Sequence, residues 1–414
     1  MLELDRVAQF NPEQDEAFFA SLPSKAAVFR IEMREGGEPY LGRTADLRRR
    51  MERLLRAQAE PSKKLNLRVL ASGVRYRLTA SKFEQSLALY QQAREHFPKR
   101  ARDFLRLRPP ALLKLNLENA YPRCYVTRRV ISDNAFYFGP FPSRRAADYF
   151  ASEFLNLFKI RRCQIKIRRD PSYPGCIYSE MKMCLAPCFA GCSPEEYGVE
   201  VARVGDFLAS AGDSHQRELE HDREAASAAE DFERAAAVHK KIEKVAQVLR
   251  ALPDLPRRIE ELNAVILQRS LEEGTVAAYA VRGGIICDPF YLRFGAMASD
   301  PRSVETILRE SLGPQINTDE HGFDNASRSD HLSLLARWYY SKPRHGEIFF
   351  RENVKGGTAH LDWPYRRILR ACSRVLRGEQ SAAAPDAKSE PPLRIDPSPT
   401  DATLRASKDE PKHD

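Results

Sequence analysis

Five of the eight cysteines of the chain fall within thirty residues, a density that needs a chemical explanation. They are Cys163, Cys176, Cys184, Cys188 and Cys192. Thiolates this close together either form disulfides or hold a soft metal centre. Disulfide frameworks belong to small secreted chains, whereas this chain has 414 residues and a charged start without the apolar run of a signal peptide. We therefore expect a cytoplasmic protein with a metal or iron–sulfur site in this segment.

The positive charge of the chain is concentrated in its first half. The net charge is +9, and basic runs occupy residues 47–56, 97–108 and 159–169. Nucleic acid suits such a pattern, because every phosphate that a cation neutralises releases counterions. The alternative for any single run is a solvated basic helix face. No stretch approaches the ~18 apolar residues that a membrane span requires, so we expect no membrane role.

The first hundred residues have the pattern of a small α/β unit. Residues 25–56 predict strand, turn, strand and helix, with AAVFRIEMR and PYLG on either side of the turn sequence GGEP. The helix begins after Thr44, the expected N-cap. Residues 65–81 predict a further strand or hairpin, and 81–97 predict a helix that Pro98 ends.

The remaining chain predicts helices around the cysteines and then a second α/β unit. A helix at 145–160 precedes the cysteine segment, and the Ala-, Glu- and Lys-rich residues 194–250 predict two helices with a break near 210–214. The second unit has predicted strands at 264–270, 275–284 and 285–295, and predicted helices near 303–312 and 329–340. Residues 379–414 are rich in Pro, Ser, Asp and Lys, and we expect them to be disordered.

Several of these segments, in this order, resemble one family. The sequences SLPSKAAVFRIE, PYLGRTADLRRRMERLL, FYFGPFPS, the cysteine cluster and AAEDFERAAAVHKKIEKV are similar to UvrC, a component of the excinuclease of bacterial nucleotide excision repair. The resemblance covers about residues 20–250 and, more loosely, 260–350. It implies an α+β protein that binds DNA.

The resemblance also implies a division into domains. The expected boundaries are an N-terminal lead at 1–22, a divergent GIY-YIG nuclease-like domain at 23–100, an Arg-rich linker with the cysteine cluster at 101–196, a UVR helical hairpin at 197–252, an α/β region at 253–378 and the tail at 379–414. The last α/β region has no recognisable RNase H-like nuclease, which the full-length family carries with a helix-hairpin-helix module, so we expect both to be missing.

The nuclease motif is kept only in part. In the family, two tyrosines, a lysine, an arginine and a glutamate hydrolyse a phosphodiester, and the glutamate holds a divalent cation. Phe29 stands where the first tyrosine is expected. The resemblance implies Tyr40 as general base and Arg43 and Arg50 as phosphate ligands, with Mg²⁺ or Mn²⁺ if the domain is active. The alternative for Tyr40 and Arg50 is a packed strand tyrosine and an arginine that only grips phosphate.

The glutamate of the motif has no counterpart. Alignment of the helix at 81–97 places Leu89 or Tyr90 at its position, and neither side chain can bind magnesium. Glu84 and Glu95 lie on the same helix five or six residues away, where the helical period points them in other directions.

The resemblance assigns a ligand set among the cysteines. Cys163, Cys176, Cys184 and Cys188 have the spacing C-x12-C-x7-C-x3-C, and MCLAPC is similar to a turn of the family. This implies a 4Fe–4S cluster, with zinc as the alternative because four thiolates suit it as well. Cys192 is expected to be a neighbour and not a ligand. Cys124, Cys287 and Cys372 are isolated, and we expect them to pack as small apolar residues.

The same resemblance implies a partner and a function. Its UVR signature falls on Phe232, Glu233, Ala235, Ala236 and Ile242, which would bind UvrB; the alternative is an ordinary amphipathic coiled coil. The implied function is one 3′-side type incision in UvrB-loaded damaged DNA. The alternatives are a catalytically inactive DNA- and UvrB-binding adaptor, because the glutamate is missing, and a nucleic-acid-binding protein outside excision repair.

Overall fold

A computed structural model of the chain describes residues 1–57, 66–295, 302–313, 325–353 and 361–378. These residues belong to one unit, Met1–Ser381. Their mixture of helices and antiparallel sheets confirms the α+β class. The tail expected to be disordered lies outside the described residues. None of the described helices is long and apolar enough to cross a membrane.

The N-terminal unit is a four-stranded antiparallel sheet with the strand order β1-β4-β2-β3. Its strands are β1 (Arg6–Gln9), β2 (Ala27–Met33), β3 (Tyr40–Thr44) and β4 (Ala71–Leu78). Its helices are α1 (Asp15–Ser21), α2 (Leu47–Leu55), α3 (Leu67–Leu70) and α4 (Lys82–His96). The predicted strand–turn–strand–helix is confirmed, but the N-cap of α2 is Asp46 and not Thr44, because the Asp46 carboxylate accepts the amide of Arg49. The segment predicted as a strand or hairpin is a short helix followed by one strand.

The middle region is built on a second antiparallel sheet with the order β6-β5-β7-β8. After α5 (Ala101–Leu105) come β5 (Ala111–Asn116), β6 (Cys124–Thr127), β7 (Ala135–Phe141), α6 (Arg144–Leu155), α7 (Ile177–Glu180) and α8 (Pro194–Ala209), and β8 (Arg257–Arg258) returns later to complete the sheet. Stacked phenylalanines join the sheet to its helices. They are Phe138, Phe141, Phe150, Phe154, Phe158 and Phe207.

Three helices occupy the segment for which two were predicted. The break near 210–214 is confirmed, and a second break at Glu230, which has a left-handed backbone (φ +56°), separates α9 (Asp213–Ala228) from α10 (Phe232–Arg250). Helices α9 and α10 form the hairpin, and its Leu219 and Val245 share the core of the middle region with Phe207 of α8.

The C-terminal region has a third antiparallel sheet, with the order β11-β10-β9-β12. Its elements are β9 (Ala264–Arg269), β10 (Thr275–Arg282), β11 (Ile285–Arg293), α11 (Val304–Leu312), α12 (Asn325–Tyr339), β12 (Glu347–Phe350), β13 (Glu352–Asn353), β14 (Leu361–Asp362) and α13 (Tyr365–Arg377). The three predicted strands and two predicted helices of this region are confirmed.

Helix α4 joins the N-terminal unit to the C-terminal region. Its buried side chains do not form one stripe, which is the pattern of a helix covered on more than one side. They share a core with Val28 and Leu41 of the N-terminal sheet and with Leu332 and Leu335 of α12. The N-terminal unit therefore cannot be separated from the C-terminal region without exposing apolar surface.

Candidate functional site

The spacing of ten residues between Tyr40 and Arg50 brings the two side chains into contact. Tyr40 begins β3, and Arg50 lies one turn into α2, whose start the Asp46 cap fixes. The Arg50 Nη2 donates a hydrogen bond of 3.0 Å to the Tyr40 hydroxyl, and both residues are half-buried. The Arg50 Nε is buried without a hydrogen-bond partner among the described residues. The pair therefore keeps a cationic donor available for an anion.

Phe29 packs beside this pair and supplies no hydroxyl. Its ring is buried, stacks on Tyr40 with the ring centroids 6.2 Å apart, and lies over Gly42. A Cβ atom on residue 42 would come within 2.9 Å of the Phe29 ring, so glycine is required there. The predicted loss of the first tyrosine thus leaves an apolar wall against the remaining one.

The structure does not bring Arg43 to the Tyr40–Arg50 pair. Successive side chains of a strand alternate between the two faces of a sheet. Tyr40 packs with the core under α2, while Leu41 packs in the core with α4. Arg43 follows Leu41 onto the α4 side, where its Nη1 donates a 3.0 Å hydrogen bond to the Ser86 hydroxyl. The two arginines expected to bind one phosphate therefore lie on opposite faces.

The helix position that would hold the metal-binding glutamate is covered by α12. Leu89 and Tyr90 are both buried. The Tyr90 hydroxyl donates a 3.1 Å hydrogen bond to the buried carboxylate of Asp330, and the Tyr90 ring meets His331 edge-on. Burial and the nearby Asp330 charge both raise the pKa of Tyr90. A cation would have to displace this packing to reach either position.

The two glutamates of α4 are engaged elsewhere. Glu84 is buried, accepts the Ala80 amide at 2.9 Å and pairs with Arg77 at 3.3 Å. Burial raises its pKa, although these partners oppose the shift. Glu95 is exposed near the end of the helix, beside His96. Neither replaces the missing ligand next to Tyr40.

The four cysteines of the predicted ligand set lie in one neighbourhood. Burial raises the pKa of the Cys184 thiol to about 11, and Cys163, Cys188 and Cys176 each raise it further because a second negative charge nearby is unfavourable. All four are free thiols. The chain between them turns tightly through left-handed Lys182 and Ala186.

The surroundings of these cysteines suit thiolates. The Ala186 amide donates to the Cys184 sulfur at 3.3 Å, and the buried Arg161 places its Nη1 at 3.9 Å from the Cys163 sulfur. Among the described residues, no three Cys, His, Asp or Glu side chains converge closely enough to hold a single metal ion. Cys192 is buried in the core of the middle region and lies near Cys188.

The predicted partner residues lie at the tip and along one side of the hairpin. Asp231 caps α10 by accepting the Arg234 amide, and this exposes Phe232 at the first helical position, with 69% of its surface accessible. Glu233 and Ala236 are also exposed, while Ala235 and Ile242 are half-buried. The apolar positions of α10 therefore divide between an inward group, Val238, Val245 and Val248, and an outward group that begins at Phe232.

Comparison with known proteins shows which family the chain resembles. A family profile described as "UvrC/Cho excinuclease, middle domain" matches residues 111–207. "UvrABC system protein C" of Moorella thermoacetica is 26% identical over 324 residues, which are 76% of this chain and 52% of the relative. The protein of the same name from Treponema pallidum is 30% identical over 226 residues, 54% of this chain and 32% of the relative.

The chain is similar to the UvrC family. It spans about half the length of the curated relatives it matches. The matched UvrC middle domain runs from β5 to α8 and includes all four predicted cysteine ligands. No solved structure matches the chain.

Sequence analysis missed Asp330 and His331 as partners of α4. The sequence signal is the polar Ser-Asp-His step that directly precedes the apolar residues of α12. His331 accepts the Ile286 amide at 3.1 Å through its Nδ1. Burial lowers its pKa to about 4, and Arg94 lowers it further while Asp288 opposes the shift.

The low pKa of His331 predicts a loss of stability in acid. Because the folded state binds this proton less readily than the unfolded state, the contribution of the neutral imidazole is complete above pH ~6.5 and declines as the pH falls toward 4. We expect the free energy of unfolding of the native chain to fall by up to about 3 kcal/mol more than that of His331→Gln over this range. Denaturant unfolding at several pH values measures this, with His239→Gln on the exposed side of α10 as the control. Parallel profiles for the native chain and His331→Gln would contradict it.

Proposed function

We propose that this chain is a cytoplasmic component of nucleotide excision repair that acts on UvrB-loaded damaged DNA and makes one 3′-side type incision. The observation that carries the proposal is the hydrogen bond of 3.0 Å between Arg50 and Tyr40. Relatives named "UvrABC system protein C" also support the proposal, because their similarity to this chain extends over about half of their length.

The Tyr40–Arg50 pair can perform two steps of phosphodiester hydrolysis. Tyr40 acts as general base: its phenolate oxygen takes the proton from the attacking water and becomes the hydroxyl. Arg50 orients that hydroxyl through its Nη2, and its unpartnered Nε binds a phosphate oxygen as negative charge develops in the transition state. The Phe29 ring excludes water from one side of the Tyr40 ring.

The residues present do not fit the divalent cation that the family uses. Leu89 and Tyr90 have no carboxylate, and α12 covers them. We therefore assign no step to Mg²⁺ or Mn²⁺. The same burial favours a second candidate function, a catalytically inactive adaptor that binds DNA and UvrB.

Cleavage by the native chain should depend on both Tyr40 and Arg50. With lesion-bearing DNA, UvrA, UvrB and Mg²⁺ or Mn²⁺, we expect the native chain to make one cut, and Tyr40→Phe and Arg50→Ala each to slow it at least ~100-fold because they remove the base or its orienting cation. A strand-resolved incision assay measures this, with the exposed Tyr149→Phe of α6 as the matched control. Stable recruitment of the native chain to the UvrB–DNA complex without any cut would reject the nuclease and leave the adaptor.

We further propose that Cys163, Cys176, Cys184 and Cys188 hold a 4Fe–4S cluster. A zinc ion bound at ~2.3 Å by four thiolates requires sulfur atoms in mutual contact, whereas the larger iron–sulfur cluster requires them farther apart. Four neighbouring thiols that do not converge on one point support the larger group. The Ala186 amide and Arg161 would stabilise the thiolates, and the cluster would fix the turns that connect α6 to α8.

The cluster assignment predicts different effects for two neighbouring cysteines. In protein purified without oxygen, Cys184→Ala should lose most of the iron, the sulfide and the visible absorbance, because a ligand is removed. Cys192→Ala should keep them, since this thiol packs in the core. Metal analysis and absorbance spectroscopy measure both variants. Zinc in place of iron in the native protein, or equal loss in the two variants, would contradict the assignment.

We propose that the hairpin of α9 and α10 binds UvrB through Phe232, Glu233, Ala235, Ala236 and Ile242. The exposed aromatic ring of Phe232 supports this, because large aromatic side chains dominate the binding energy of protein interfaces. The adjacent alanines leave room for a partner helix to approach.

The hairpin proposal predicts that Phe232→Ala weakens UvrB binding at least ~tenfold without changing the thermal midpoint, because an exposed ring contributes little to the fold. Calorimetric titration with UvrB measures the affinity. The control is Val199→Ala, which shortens a comparably exposed apolar side chain on α8. Unchanged affinity in Phe232→Ala, or equal weakening in Val199→Ala, would count against the hairpin.

A further inference from the structure

A cleft of about 600 Å³ opens where the N-terminal unit meets the C-terminal region. It lies on the α4 side of the N-terminal sheet, the face opposite the Tyr40–Arg50 pair. One wall comes from the end of β3 and the start of α4. The other comes from α12, the turn that follows it, and the end of β9. The size is that of a pocket for a small ligand.

Among the described residues that line the cleft, five are cationic and none is acidic. They are Arg43, Lys82, Arg269, Arg337 and Lys342. Among the described residues, none of the five forms an ion pair with a carboxylate. In the N-terminal unit, by contrast, Arg68 pairs with Asp15. The cleft is therefore an uncompensated concentration of positive charge.

Two of these cations face each other across the cleft. Arg337 is held by the backbone carbonyls of Leu105 and Arg106, which fix its guanidinium without neutralising it. Burial lowers the pKa of Arg337, and the charge of Arg43 lowers it further. Like charges kept this close raise the energy of the empty cleft, and an anion between them would remove that cost.

The remaining lining favours a ligand with an aromatic part. The floor includes Phe83, Leu87, Leu334 and Trp338, which form an apolar surface beside the cations. Ser81 at the start of α4 also lines the cleft, so the positive end of this fifteen-residue helix is directed at it. Arginine forks match phosphate geometry, and aromatic rings stack on bases.

We propose that this cleft binds the phosphate groups of a nucleotide, either free or within a single strand of DNA. The site is distinct from the proposed incision centre, because Arg43 and Tyr40 lie on opposite faces of the sheet. The proposal does not depend on cleavage, and Tyr40→Phe should leave the binding unchanged.

Trp338 provides a direct signal for the test. The chain has two tryptophans, so Trp363→Phe leaves Trp338 as the single indole. In this background we would titrate inorganic triphosphate, a nucleoside triphosphate and a 5′-phosphorylated single-stranded oligonucleotide, and follow Trp338 emission and heat. Lys82→Gln and Arg269→Gln remove one cation from each wall. Lys240→Gln on the exposed side of α10 is the matched control.

We expect saturable binding of at least one probe, weakened about tenfold by Lys82→Gln and by Arg269→Gln but not by Lys240→Gln. Binding of triphosphate or the nucleotide alone would identify a free nucleotide as the ligand, and binding of the oligonucleotide only would identify the DNA strand. No saturable change with any probe would overturn the proposal. Binding that the cleft variants weaken no more than Lys240→Gln would overturn it as well.

Discussion

The side chains of α4 are buried against the N-terminal sheet on one side and against α12 on the other, and this double burial holds the N-terminal unit and the C-terminal region together. Its polar centre is Asp330, a buried carboxylate that accepts from Tyr90 and pairs with Arg102 at 2.6 Å. A buried charge is tolerated only when it is paired and hydrogen-bonded. The contact between α4 and α12 is therefore apolar, and the polar contacts of Asp330 fix the alignment of the two helices.

The docking of α4 leaves the two faces of the N-terminal sheet with different sets of accessible side chains. On the α2 face, Tyr40 and Arg50 remain half-buried and in contact, with one arginine nitrogen unpartnered. On the α4 face, the helix position that the family uses for a metal-binding glutamate is closed by Asp330 and His331. Arg43 is drawn to that second face and joins the basic cleft. The position that lacks the glutamate is thus also the position that α12 packs against.

Local patterns predicted much of the fold and one part of the site. The alternation in β2 and β3, the apolar spacing of α2 and the strands of the C-terminal region all appear where the sequence placed them, because these signals depend on neighbours along the chain. The family resemblance named Tyr40 and Arg50 as site residues, and the structure places the two side chains in contact. The grouping of the cysteines followed from their density.

Other features depend on contacts between distant residues and could not be predicted. Arg43 was expected to act with Tyr40, but the alternation of side chains along β3 places it on the opposite face of the sheet. That face is covered by α4, where Arg43 binds Ser86. The partners of α4 come from residues some 240 positions later, so no local pattern indicates them. The break between α9 and α10 occurs at Glu230, which has a left-handed backbone, so the glycine that usually signals such a break is not present in the sequence.

The most direct test of this account is amide hydrogen exchange in α4 of the native chain and of Asp330→Ala, read by mass spectrometry. If α12 covers α4, the α4 amides of the native chain should exchange as slowly as those of α12, and Asp330→Ala should accelerate exchange in α4 while leaving α6 unchanged. Fast exchange of α4 in the native chain, or exchange that Asp330→Ala does not alter, would contradict the account. It would mean that the N-terminal unit moves independently and that the metal position is open.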